Sequence, residues 1–403
     1  MKKLFAPAII LMNRLRIVYK FSLISILFLL PIAGLGYLLV SQMNESISQL
    51  EQAIEGTDAM EQANRVIRNA QRYRDYNTVV RVQELEGPLA REVKEARAAV
   101  TDALGKLREY AERPGAGTTL ASQLEDVTAS WEKLTEEDNY LQTPNRQFNY
   151  YNEFYKRTLA IRNTVIQTSG LGQDPSNDVQ MLLELVNNNM TTVVDEMGRA
   201  RAFGIFGLIQ GRLSTGVSNI MNSIYDSLTN TGNQLEAAFN VALESSSTIR
   251  SRFKEDADAI ADSPTKVRDL IDEKVITPFR LETPQSELDQ GVTKHIDRIY
   301  EFTNDALAFI EGDLQERLAA EQRQRTIMFA ALALVLLVIV WLYAGFYLSV
   351  RLAVHQFAKS ARRVADGDMQ TRLELNSHDE LGELTNEFNS MTDRMRELIQ
   401  SVR

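Results

Sequence analysis

The fold class this sequence predicts is an all-α, membrane-anchored, elongated helical bundle. Three observations carry the prediction. Two charge-free apolar runs are long enough to cross a bilayer. The stretches between them are rich in Ala, Leu, Glu, Gln and Arg and are broken only at well-separated turn clusters. The C-terminal end carries a sustained heptad repeat. Cysteine is absent, which excludes disulfides and thiolate metal sites. His295, His355 and His378 are scattered through the chain, so neither a metal site nor a triad enzyme is expected, and no cofactor is.

The chain begins with a basic tail, residues 1–20, holding Lys2, Lys3, Arg14, Arg16 and Lys20 and no acid. The first apolar run, Phe21–Val40, follows, and the span closes at residue 41. The second run is Ile327–Leu348. At 1.5 Å per residue each covers the roughly 30 Å hydrocarbon core. Trp341, Tyr343 and Tyr347 stand toward the C-terminal half of the second run, where interfacial aromatics belong. The first run exceeds the apolar core of a signal peptide and lacks a small-residue cleavage site, so an anchor is expected. The positive-inside rule puts the basic tail in the cytoplasm. Arg351, Lys359, Arg362 and Arg363 after the second span agree, placing both termini there and residues 42–326 outside.

Five cations without an acid precede residue 21, and eight cations face nine acids after residue 348; with a net charge of −10, the outer region holds −14. Such an acidic domain does not suit nucleic acid or an anionic lipid surface. Its breakers delimit helices at about 44–86, 88–112, 119–143, 145–169, 178–211, 214–262, 265–276 and 287–325. No alternating β-branched run predicts a strand. If Asn44 to Arg113 ran on continuously it would rise about 100 Å. The expected arrangement is therefore two stacked four-helix modules, with Gly87-Pro88 near their junction, and a single elongated bundle is the alternative.

Two groups of arginines are candidate ligand-binding residues. Arg65, Arg68 and Arg72 repeat at spacings of 3 and 4 on one helix face, which suits bidentate capture of a carboxylate or similar organic anion. The alternative is a solvated face neutralised by Glu61 and Asp75. The second group, Arg199 and Arg201, lies in the run Met197 to Gly207, whose Gly198, Gly204 and Gly207 permit close helix approach. Close packing alone also accounts for those glycines. Phe148, Tyr150, Tyr151, Phe154 and Tyr155 are read as core rather than pocket.

After the second span, Val350, Ala353, Phe357, Ser360 and Val364 alternate at heptad spacing, and Gly367-Asp368 ends that helix. Met369, Leu373 and Leu375 alternate through a connector. Leu381, Leu384, Phe388, Met391, Met395, Leu398 and Val402 then form an a/d seam. Two short amphipathic helices leave their seams exposed in one chain, and a homodimer closes them into a four-helix coiled coil. The runs Arg362 to Asp368, Asp379-Glu380-Leu381-Gly382-Glu383-Leu384 and Phe388-Asn389-Ser390-Met391 make residues 349–403 resemble a HAMP domain. The proline common near the start of the first HAMP helix is missing from Ser349–Ser360.

Taken whole, the layout resembles methyl-accepting chemotaxis proteins, and the large helical sensor looks like the helical bimodular class, whose members bind small organic acids. The resemblance implies a non-enzymatic receptor: a small-molecule ligand binds outside, and Gly367, Asp368, Asp379, Glu380, Leu381, Leu384, Phe388 and Met391 belong to the relay. It also implies a cytoplasmic chemotaxis kinase complex as partner if an output domain follows residue 403. The competing expectations are the sensor half of a histidine kinase or diguanylate cyclase, and a non-catalytic membrane scaffold.

Overall fold

Helices occupy nearly all of the chain because few residues interrupt them, and those that do also cap them. The computed structural model describes residues 2–15, 17–113, 115–136, 139–375 and 380–401, and no strand is present among the described residues. The helices are α1 (Lys2–Arg14), α2 (Ile17–Gln83), α3 (Pro88–Ala111), α4 (Thr118–Glu136), α5 (Pro144–Thr168), α6 (Asn177–Glu184), α7 (Thr191–Gln210), α8 (Thr215–Ser245), α9 (Ser247–Ala261), α10 (Ser263–Ile271), α11 (Gln285–Ala365) and α12 (Glu380–Ser401). One π turn, Leu185–Met190, joins α6 to α7, and another, Asp272–Ile276, extends α10. The chain divides into two compact units: Glu45–Glu321, and Met1–Asn44 together with Gln322–Arg403. Helices α2 and α11 contribute to both.

In the larger unit, the stops are local chemistry. Gly87 takes φ +95° just before Pro88, which opens α3 with the ring-fixed φ suited to a first helical turn. Ser214 and Ser246 cap α8 and α9, their hydroxyls accepting from Val217 N at 3.4 Å and Ile249 N at 3.1 Å. The Ser246 cap divides the helix expected over 214–262. Helix α4 stops at Glu136, short of the expected 143.

The registers fix how these helices pack. Arg65 faces Asp102 at 4.0 Å and Arg72 pairs with Glu92, so α3 runs antiparallel to α2. Gln52 donates to the Thr168 carbonyl at 2.7 Å and Arg74 to Asn152 at 2.6 Å, which sets α5 antiparallel to α2 as well. Over the same stretch Gln71 donates to the Val194 carbonyl on α7 at 2.6 Å, and Arg68 pairs with Asp297 on α11 at 2.6 Å. Helix α2 thus touches α3, α5, α7 and α11 along one length.

These contacts correct two expectations. The chain reverses at Gly87-Pro88, so residues 44–113 form a hairpin, and residues 45–83 rise only about 58 Å. The four-helix groups lie side by side with one continuous apolar core, instead of end to end. The α5 aromatics belong to that core: Trp131 stacks on Phe154 at 4.7 Å and meets Tyr73 edge-on at 4.9 Å. Glycines admit the close approaches on α7, since a Cβ at Gly204 or Gly207 would strike Leu288 or Leu213.

In the smaller unit, two helices are long and apolar enough to cross a membrane, and none of their apolar windows is buried within the chain. They run antiparallel, joined by Ser22 Oγ to Tyr343 Oη at 2.7 Å and by Arg325 donating to Asn44 at 2.9 Å. The basic tail is not wholly irregular, for residues 2–14 form α1. With no proline in Ser349–Ser360, α11 continues unbroken from its apolar stretch to Ala365.

Candidate functional site

Where α2, α5, α7 and α11 meet, the apolar core of the larger unit gives way to charge. Arg74 is fully buried, its Nε donating to Asp75 Oδ1 at 2.9 Å and its Nη1 to Asn152 and Asp195, each at 2.6 Å. The guanidinium lies against the rings of Phe148 and Tyr155, 4.3 and 4.5 Å from their centroids. Arg201 donates to the other Asp75 oxygen at 2.9 Å and to Thr293 at 3.0 Å, and lies over the Tyr76 ring. Tyr76 and Thr293 both donate to Asp289, at 2.7 and 3.2 Å. Four helices are thereby tied through one polar network.

Burial and neighbouring charge act in opposite directions on the two arginines. Burial opposes the Arg74 charge, but Asp195 and Asp75 outweigh it and raise its pKa. Burial likewise opposes Arg201, and Tyr76, Asp75 and Asp289 outweigh it. Burial pushes the Tyr76 phenol up to about 12, so it stays a neutral donor. Arg162 differs: burial lowers its pKa, and among the described residues its hydrogen bonds go to the neutral acceptors Asn64 Oδ1 (3.2 Å), Asn187 O (2.8 Å) and Thr191 Oγ1 (2.7 Å).

The arginines singled out by spacing take separate places. Arg65, Arg68 and Arg72 share a partly exposed face of α2, opposite Asp102, Asp297 and Glu92. Arg199 pairs with Glu196 at 2.8 Å near the surface, whereas Arg201 points into the core, so those two are not brought together. Arg74 and Arg162 belong to neither spaced group, yet the sequence carries a signal for the second. Phe148, Tyr151, Tyr155, Thr158, Arg162 and Val165 are buried at spacings of 3 and 4, which sets a cation on an apolar stripe.

The second candidate region follows the apolar stretch of α11. Gly367, at φ +96°, turns the chain out of the helix, and Asp368 accepts from Gln370 N at 3.2 Å and Thr371 Oγ1 at 2.8 Å. Val364, Leu373 and Phe388 form a small core, with Phe357 5.2 Å from Phe388 between ring centroids. The Asn389 amide clasps the connector, accepting from Leu373 N and donating to Leu373 O, both at 2.9 Å. Arg372 pairs with Asp393.

The expected a/d seam divides between two faces. Phe388 is buried and Leu381 partly so, and Thr385 and Thr392 share the buried face. Leu384 (46% exposed), Met391 (43%), Met395 and Leu398 face solvent in the single chain. Glu380 opens α12 and is exposed, while Asp379 and Val402 lie outside the described residues.

Comparison with known families matches residues 349–397 to the HAMP domain. No curated protein and no solved structure gives a significant match to the chain. A HAMP domain joined to two helices fit to cross a membrane marks the chain as a transmembrane signal transducer.

Proposed function

We propose that this transmembrane signal transducer is the sensing half of a chemotaxis-type receptor. Its large helical unit takes a small-molecule ligand outside the bacterial inner membrane, and its HAMP domain pairs with that of a second copy inside. One observation carries the reading: α11 is a single helix from Gln285 to Ala365, so the same element contributes to the large unit, the second apolar stretch and the first HAMP helix. A proline in this stretch would kink or break the helix, and Ser349–Ser360 holds none.

Three further features support the reading. The basic residues flanking both apolar stretches favour cytoplasmic termini by the positive-inside rule. The polar network joins α11 to α2, α5 and α7, so a ligand that favours one arrangement of it biases α11. On the HAMP side, the exposed stripe Leu384, Met391, Met395 and Leu398 matches the face a second copy would cover. A differential affinity of a few kcal/mol between two packings is enough to shift such an equilibrium.

The chain contains no cysteine, so single-cysteine variants test the pairing directly. In membranes, Leu384→Cys and Met391→Cys should form disulfide-linked dimers rapidly on mild oxidation, and Glu387→Cys slowly. Monomers at all three positions would refute the paired HAMP. Ligand-dependent autophosphorylation or cyclic-dinucleotide synthesis by the native protein would move it to the kinase or cyclase class.

A further inference from the structure

We propose that the cavity beside Arg162 binds a small monovalent anion. Among the described residues, Arg74 and Arg201 each contact a carboxylate, whereas every partner of Arg162 is neutral, although Arg162 is only 4% exposed. A buried cation without a counter-charge is costly, and removing that cost requires a negative group at the same place.

The unmet hydrogen bonds say what kind of group. Arg162 Nε and Asn64 Nδ2 are both buried without a partner, and both are donors. Beside them is a cavity of about 10 Å³, walled by Asn64, Arg162, Thr191, Tyr300 and Thr303. It holds one water-sized group, such as a halide or a single oxygen of a small oxyanion. A water would accept from the donors but leave the cation unbalanced. A monoanion satisfies both needs.

The wall of this cavity includes a break in regular α-helix. Met190, on the cavity wall, and Asn187, whose carbonyl Arg162 holds, both belong to the π turn, a geometry with one extra residue that recurs at functional sites. Thr191 Oγ1 braces that turn against the Val186 carbonyl at 3.0 Å while accepting from Arg162. Helix α7 continues from Thr191 to Asp195 and Arg201, and Tyr300 on the opposite wall donates to Gln71 at 3.3 Å. Anion occupancy therefore bears on α7 and α11 together. This last step rests on the reading of the large unit as a sensor; the binding itself does not.

The test uses the full chain in detergent, with thermal unfolding followed as sodium chloride, nitrate or formate replaces sodium gluconate at constant ionic strength. Gluconate is too large to enter. The unfolding temperature should rise by several degrees and saturate with at least one small anion. Arg162→Met, which exchanges the uncompensated cation for an apolar chain of similar length, should melt no lower than wild type in gluconate and show no rise. Asn64→Leu should shift the half-saturating concentration at least tenfold upward. A wild type that responds equally to gluconate, or an Arg162→Met chain that still responds, overturns the site. The same titration on Met391→Cys in membranes separates the two readings. Anion-dependent stabilisation with unchanged crosslinking keeps the site and removes it from signalling. Crosslinking that responds to another ligand without any anion effect on stability removes the site and keeps the sensor.

Discussion

Arg201 on α7 and Asp75 on α2 meet at 2.9 Å, and neither side chain is reached by solvent. Asp75 also accepts from Arg74, so one carboxylate compensates two buried guanidiniums. Removing it leaves both short of a partner, and breaking such a pair typically costs about 3–5 kcal/mol. Asp75→Ala should therefore lower the unfolding temperature of the full chain sharply. Adding Arg201→Met should recover part of the loss, because an apolar side chain then replaces an orphaned charge. Additive losses in the double variant would show that the two residues do not act as a pair.

The Asn389 amide closes two hydrogen bonds on the backbone of Leu373, and so fixes the connector against α12. Asn389→Ala leaves a donor and an acceptor unmet, at about 1–3 kcal/mol. Asn389→Asp should be worse, since it keeps the acceptor for Leu373 N–H but sets a carboxylate against the Leu373 carbonyl. Amide hydrogen exchange at Leu373 reads this out: it should quicken in both variants, and more in the aspartate. Unchanged exchange would mean that the connector is held by the Val364, Leu373 and Phe388 core alone.

His295 gives the large unit a pH dependence. Burial lowers its pKa, and Lys266, Lys294 and Arg298 push the same way against Asp262. The ring also bonds to Ser263 Oγ at 3.1 Å. Because the folded pKa is below the ordinary 6.5, the unfolded chain binds the proton more readily. Stability should hold above that value and fall as the pH drops below it, until the folded-state pKa is passed. His295→Gln should flatten this acid-side slope in melting curves taken from pH 8 to 5, if read against the same background of carboxylates. A slope identical to that of wild type would assign the effect elsewhere.

The sequence displayed those features whose signals are local. An apolar window, a heptad and a Gly-Asp stop each occupy a few turns, so the two spans and the HAMP domain could be read directly. Packing partners are not local. Gly87-Pro88 marks a break without saying whether the chain bends or reverses, and the partners that decide it, Glu92 and Asp102, lie beyond the turn. The break at Ser246 carries neither glycine nor proline, only a serine cap within a serine-rich run, so no strong breaker marks it. Among the arginines, spacing showed which share a face but not which face is inward. Arg201 turned into the core and Arg199 to the surface, and Arg162 was visible only as a cation out of place on an apolar stripe.

If, as proposed, the state of the large unit reaches the HAMP domain through α11, HAMP pairing responds to a change made in the large unit. The most direct measurement is the rate of disulfide formation at Met391→Cys in membranes, with and without Asp75→Ala in the same chain. The rate should change at least twofold while the amount of protein in the membrane does not, and three glycines inserted after Leu348 should abolish the difference. An identical rate in a chain whose large unit is demonstrably destabilised would contradict it.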